Sequence, residues 1–342
     1  MRTPMAVMRT VCAAAAVVLL AASAGVSAQG TDFETKMRDA DSLLARRQYE
    51  EALRIYKDAN GLQDKKSARA LIGMARAYQG LVAHKSAADA CTEALKYVGD
   101  SKVLDAEARN LRGVSLFSLA EKPDDKRWKQ AEDDFRAVMT MADLYPIAQY
   151  NLGVTLLRQL RDEEGIKELR DFVERAGKRP EVTTAGKYIE NPRRARENFA
   201  PDFSFSTLDG EFLSSDDLRG KVVLIDFWAT WCQPCVVATP GLARLQKKYK
   251  DDPVVIIGIS ADRDKAPWKA FIEKNRLEWV HYFDERQAIA DRFVVNSYPT
   301  YVLVDHEGII RYRQQGWNPD VDGDLDSEIR SLVKKAKAAQ QQ

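Results

Sequence analysis

Apolar residues change their period once along this chain. From Thr31 to about residue 179 they recur at the spacing of one helix face, in a background rich in Ala, Leu, Glu, Lys and Arg, with proline only at Pro123 and Pro146. That pattern predicts helices and little else. Residues 180–198 carry two prolines, a glycine and no sustained apolar period, and read as a linker. From Phe199 the period shortens. "FSFSTLDGEFLSSDDL" predicts a hairpin turning at Asp209-Gly210, and "KVVLIDFWA" and "PVVIIGISA" are near-continuous apolar runs of the kind buried on both faces of a sheet. Helices are expected over "TPGLARLQKKYK", "APWKAFIEKNRL" and "AIADRFVV", and strands over "YPTYVLVDHEG" and "IIRYRQQG". Alternating strands and helices argue for a mostly parallel sheet with covered faces over residues 199–336. Residues 337–342 read as a disordered tail. The fold class expected is therefore multidomain: an all-α array followed by an α/β domain.

Within the helical region a motif recurs. Small residues at Ala40 and Ala52 are followed by Tyr56 and Ala59, and the same offsets give Ala75, Ala87, Cys91 and Ala94. A third copy has Gly113, Ala131, Phe135 and Val138, stretched by the insertion around "EKPDDKRWK", and a fourth has Gly153, Gly165, Leu169 and Phe172. Their period is close to the ~34 residues of tetratricopeptide repeats. Residues 31–179 thus resemble four tetratricopeptide hairpins, although the tryptophan and closing proline of that family are missing. Small residues let two antiparallel helices approach, and the large one fills the gap between repeats. Cys91 takes the large position, so its thiol is expected to be buried and inert. A stacked array of this kind implies a face for a protein or peptide partner. It can equally serve only to space or dimerise the following domain.

Charge narrows the function classes. The 342 residues hold 52 Lys and Arg against 51 Asp and Glu, a net +1. No field is present to collect nucleic-acid phosphates or an anionic membrane surface. The first residues differ from the rest: Arg2 and Arg9 precede an apolar run from Val11 to Ala22, and small residues follow to Val26-Ser27-Ala28. This is the layout of a secretory signal, residues 1–28, with cleavage after Ala28. The apolar run is shorter than the ~20 residues of a spanning helix, which makes an uncleaved anchor the lesser alternative. An exported, periplasmic protein is expected. Cys12 leaves with the signal, and Cys91, Cys232 and Cys235 remain.

Why Cys232 and Cys235 stand three positions apart behind a tryptophan, in "FWATWCQPC", decides the chemistry. They could be a redox couple, half a metal site or two buried thiols. Export puts them where disulfides persist, yet one bridge is no structural framework for a chain of this length. They fall at the end of a central strand where a helix begins. Unsatisfied N–H groups and the positive dipole end there favour an anion and can lower a cysteine pKa from ~8.5 to between ~3.5 and ~7.5. Cys232, first and more exposed, is the expected nucleophile; Cys235, one turn in, is the resolving thiol; Pro234 suits the first helical turn. Zinc would need two more ligands, and the chain offers only Cys91 in the other region and scattered His84, His281 and His306. A one-cysteine peroxidase would need a proline and a threonine before the cysteine, whereas "DFWATWC" has no proline there and Thr230 one place too close.

"LIDFWATWCQPC" followed by "SYPTYVLVDHEG" resembles the thioredoxin-fold oxidoreductases. The lead segment from Ala200 and the additional helix and strand in "ISADRDKAPWKAFIEKNRLEWVHYF" make the region similar to their exported TlpA-like branch. The resemblance implies a thioredoxin fold, a redox-active Cys232–Cys235 disulfide, no bound cofactor and no metal. It implies a client surface built from Trp231, Gln233, Pro234, Tyr298, Pro299 and Thr300, with Pro299 in the role of the family's cis-proline beside the cysteines. Thioredoxins carry an aspartate at the place of Asp226, where it helps deprotonate the resolving cysteine. Many TlpA-like proteins instead have asparagine there and a glutamate three residues after the second cysteine, which in this chain is Ala238. The acid–base task accordingly falls to Asp226. The resemblance further implies reduction of a client protein's disulfide, fed by a membrane electron donor. The alternative is a repeat-based binding protein whose redox pair only switches its grip.

Overall fold

A computed structural model describes residues 28–141 and 146–341. The basic and apolar opening segment therefore lies outside the described residues. Among those described, no helix is long and apolar enough to cross a membrane. The chain divides into two compact units, one ending at Arg196 and the other beginning at Glu197.

The first unit is helical throughout: α1 (Ala28–Ala45), α2 (Tyr49–Gly61), α3 (Ala68–Gly80), α4 (His84–Ala94), α5 (Lys102–Leu119), α6 (Lys126–Met139), α7 (Pro146–Arg158), α8 (Asp162–Ala176) and α9 (Pro180–Glu190). Tyr56, Cys91, Phe135 and Leu169 are fully buried, one on each of α2, α4, α6 and α8. The Tyr56 ring occupies the space a side chain on Gly73 would need, Phe135 does the same at Gly113, and Leu169 at Gly153. Glycine is required there because a large side chain of the neighbouring helix packs directly on its backbone, not because of a turn. Three of the tight connections share one geometry. Arg47, Val82 and Leu160 each adopt a positive φ near 60°, and the next residue's N–H reaches back to a carbonyl five residues earlier: Gln48 to Leu43, Ala83 to Tyr78, Arg161 to Leu156, at 2.8–3.0 Å. This is the Schellman helix ending, here without the usual glycine. The longer α5–α6 connection departs from it because it carries the "EKPDDKRWK" insertion.

The segment read as a linker is structured. Pro180 opens α9, where its missing N–H costs nothing, and Ala185 is buried, with Val182, Tyr188 and Ile189 packed against the α7–α8 core. Three turns leave too short an apolar stripe to stand out in sequence. A short 3-10 turn, Pro192–Ala195, follows, and the Arg196 guanidinium pairs with both Asp162 oxygens at 2.5 and 2.8 Å.

The second unit contains β1 (Ser204–Ser206), β2 (Phe212–Ser214), β3 (Val222–Trp228), α10 (Gln233–Lys248), β4 (Val254–Ser260), α11 (Lys265–Asn275), β5 (Val280–Phe283), α12 (Ala288–Arg292), β6 (Thr300–Val304), β7 (Ile310–Gln315) and α13 (Val321–Gln340). β1 and β2 form the hairpin expected at Asp209-Gly210, where Gly210 has φ +88°. The main sheet has the order β5-β4-β3-β6-β7. β3 is central, parallel to β4 and antiparallel to β6. All seven β3 residues are buried, and they alternate between two cores. Val222, Leu224 and Trp228 face α10, α11 and α13; Val223, Ile225 and Phe227 face Phe203, Phe205, Ile289 and Phe293. The tail assigned to residues 337–342 is helical as far as Gln340. Ala336 is fully buried and Lys337 pairs with Asp252 at 2.5 Å, so side-chain anchors continue the helix where composition suggested disorder.

Val82 is β-branched, exposed and left-handed, a conformation that costs L-residues roughly 1–2 kcal/mol. Val82→Gly is expected to stabilise the helical unit by about 0.5–1 kcal/mol after glycine's own entropy is counted. Urea unfolding followed by helical ellipticity measures it.

Candidate active site

β3 delivers its C-terminal end to the start of α10, and the two cysteines lie at that junction. Cys232 is the N-cap of α10: its Sγ accepts the Cys235 N–H at 3.3 Å, and its carbonyl accepts the Val236 N–H at 3.1 Å. Pro234 lies in the first turn. The cysteines are joined as a disulfide with Cα atoms 5.3 Å apart. Both are nearly covered, Cys232 at 5% and Cys235 at 3% exposure. The expected contrast in exposure is therefore slight in the oxidised pair, although Cys232 remains the outer one. On reduction the Cys235 N–H and the positive end of α10 would stabilise a thiolate at Cys232.

The loop between β3 and α10 is held by a residue that sequence reading missed. Asp262, 4% exposed, accepts the Thr230 N–H at 3.1 Å, the Thr230 hydroxyl at 2.7 Å and the Ser260 hydroxyl at 2.7 Å. Its signal was its place just past the end of β4, the same edge of the sheet that carries the cysteines. Around the disulfide, Trp231, Gln233 and Pro234 are exposed. Trp231, 63% exposed, meets the Tyr298 ring edge-on at 5.8 Å. Tyr298 packs against the core that contains both cysteines, and the Tyr298–Pro299 peptide is cis. Thr300 is buried at the start of β6, opposite Phe227, and donates to the Ser297 carbonyl at 2.7 Å.

Asp226 lies on the β3 face that looks toward α10. It stands opposite Gly258 on β4 and Tyr301 on β6. Its Oδ1 makes no hydrogen bond, and burial alone pushes its carboxyl up to about 8. No lysine pairs with it among the described residues. Ala238, at the alternative acidic position, is buried one turn beyond Cys235. Cys91, in the other unit, is a free buried thiol that desolvation raises to about 12. Among the described residues no three His, Cys, Asp or Glu side chains gather as a metal site.

A central strand ending in a cysteine pair on a helix N-terminus, with a cis-proline peptide before the next central strand, defines a thioredoxin-like domain. The AhpC/TSA family model matches residues 197–313. Thioredoxin-like protein YneN of Bacillus subtilis (strain 168) is 40% identical over 114 residues, 33% of this chain and 66% of its own length, just under two thirds. Thiol-disulfide oxidoreductase ResA of Geobacillus kaustophilus (strain HTA426) is 31% identical over 124 residues, 36% of this chain and 71% of its own. The solved thiol-disulfide oxidoreductase from Bacteroides fragilis NCTC 9343 is 32% identical, covering 38% of this chain and 98% of that one, with a TM-score of 0.35. The chain belongs to the thioredoxin-like thiol-disulfide oxidoreductases, whose redox group is the disulfide itself.

The Asp226 pKa carries a consequence for stability. Its folded-state value stands above the ordinary 3.8, so between about pH 4 and pH 8 the folded chain keeps a proton that the unfolded chain has released, and stability falls as pH rises through that window. Asp226→Asn should raise the melting temperature by on the order of 5 °C at pH 8, with no gain at pH 4. Calorimetry at the two pH values checks both.

Proposed function

We propose that the protein is an exported reductase of client protein disulfides, with the tetratricopeptide-like array recruiting a protein or peptide partner. The observation that carries the chemistry is the Cys232 Sγ on the α10 N-terminus accepting the Cys235 N–H. In the reduced chain the Cys232 thiolate attacks one sulfur of a client disulfide. The client S–S bond breaks, one client sulfur leaves and takes a proton, and a Cys232–client mixed disulfide forms. Asp226 takes the Cys235 proton. The Cys235 thiolate then attacks Cys232 Sγ, re-forming the intramolecular disulfide and releasing the second client sulfur, so that two electrons have passed to the client. A membrane electron donor restores the dithiol.

Trp231 and Tyr298 supply an aromatic edge for the client, Gln233 and Pro234 border the outer sulfur, and the backbone of Tyr298, next to the cis Pro299, is where an extended peptide would pair. Export rests on the basic, apolar and small-residue order of residues 1–28. The direction rests on the TlpA-like resemblance of the lead segment and of the additional helix and strand. The domain limits proposed are 197–340 for the redox unit and 31–190 for the repeats, with α9 closing the array.

Cys235→Ser should accumulate a mixed disulfide with client protein in the native compartment, and Cys232→Ser should accumulate none. Absence of any adduct on the Cys235→Ser chain contradicts the mechanism. The rate of mixed-disulfide resolution should rise with pH through about 8 as Asp226 loses its proton. Asp226→Asn should slow resolution roughly 100-fold or more while leaving the first attack largely intact. Stopped-flow kinetics with insulin separates the two steps.

A further inference from the structure

A cleft of about 460 Å³ opens beside the redox pair, walled by Thr230, Trp231, Asp262, Arg263, Asp264 and Pro267. Trp231 directly precedes Cys232, so one wall of the cleft is the residue next to the outer sulfur. Tyr298 and Pro299 are not part of this wall. The cleft is therefore a second surface at the disulfide, separate from the one that contains the cis peptide, and Trp231 is shared between the two.

Of the three charged side chains in the wall, two are already engaged by the fold. The buried Asp262 carboxylate accepts the Thr230 N–H, the Thr230 hydroxyl and the Ser260 hydroxyl. Asp264 is the N-cap of α11 and accepts the Ala266 N–H at 2.9 Å, where a carboxylate offsets the positive end of the helix. Arg263 stands between them, exposed, with neither a hydrogen bond nor an ion pair among the described residues. Lys265, two residues on, is exposed and unpaired in the same way. Three donors answer the charge of Asp262 and the α11 terminus answers that of Asp264, which leaves the two cations uncompensated at the mouth of the cleft.

The unengaged polar side-chain groups of the wall, the Arg263 guanidinium and the Trp231 indole N–H, are donors only. The indole ring and Pro267 add apolar surface. A ligand that suits this set carries a carboxylate on a short apolar stem. Its oxygens meet the guanidinium fork, whose planar geometry matches a carboxylate, and its methylenes lie against Trp231 and Pro267.

We propose that this cleft is a specificity subsite that holds an Asp or Glu beside the client's cysteine while Cys232 forms the mixed disulfide, with Arg263 as the residue that selects it. The inference rests on the thiol-disulfide reading of the site and adds the class of client. Consecutive Cα atoms are ~3.8 Å apart, so a client cysteine joined to Cys232 brings its immediate neighbours to the Trp231 side. The subsite takes no part in the exchange of bonds. The client S–S bond breaks and the Cys232–client bond forms as before, and the carboxylate only fixes where the client sits.

The test uses the full-length Cys235→Ser chain, which halts at the mixed disulfide, and two disulfide-linked peptides that differ only in Glu or Gln beside the cysteine. Adduct formation is followed by mass. Each rate is divided by that of the same peptide with free dithiothreitol, which removes the effect of the carboxylate on the client sulfur itself. The corrected rate should favour the Glu peptide about fivefold, the upper end for a solvent-accessible ion pair, and the preference should shrink as salt is raised. Adding Arg263→Gln should bring the ratio to one, Arg263→Glu should invert it, and Arg263→Lys should keep part of it. Equal corrected rates before Arg263 is changed, or a preference that survives Arg263→Gln intact, would overturn the inference and leave the exchange chemistry standing. Adducts with neither peptide would sink the thiol-disulfide reading, and the subsite with it.

Discussion

The buried central strand is the constraint on which the redox unit depends. β3 is covered on both faces, so its side chains must be apolar or expensive, and Asp226 is the expensive one. Desolvation pushes the carboxyl there up to about 8, which suits the role proposed for it, a base matched to a thiol rather than to water. The strand also ends where α10 begins. The core that buries Asp226 thereby fixes the helix terminus that favours a thiolate at Cys232, and Asp262, through Thr230, pins the short loop between them. The proposed nucleophile, resolving thiol and base all follow from one strand-to-helix junction.

The helical unit follows a different logic. It places small residues where two helices meet and a large one beside them. Tyr56, Phe135 and Leu169 sit against Gly73, Gly113 and Gly153. The repeated left-handed residue at three of the connections sets the same helix-to-helix turn each time. Cys91 is explained by this packing, as a thiol that fills a space and that burial keeps protonated.

Much of this was legible in sequence because it depends on local patterns. The uninterrupted apolar run of β3, the Asp209-Gly210 turn and the Cys232–Cys235 spacing each declare themselves within a few residues. What stayed hidden depends on partners distant in the chain. α9 shows only a short apolar stripe and becomes a helix by packing on α7 and α8. The end of α13 looks like a polar tail until Lys337 meets Asp252. Asp262 is an unremarkable acid after a strand until Thr230 folds onto it.

The central claim, that Cys232 and Cys235 form a working redox couple, is tested most directly by the midpoint potential of the full-length chain in a glutathione or dithiothreitol series, with free thiols trapped by alkylation and counted by mass. The expected result is a single two-electron couple confined to Cys232 and Cys235, with Cys91 unlabelled and a midpoint toward the ~−270 mV of thioredoxin rather than the ~−120 mV of a strong oxidant. A pair that keeps one oxidation state across the whole series would contradict the claim.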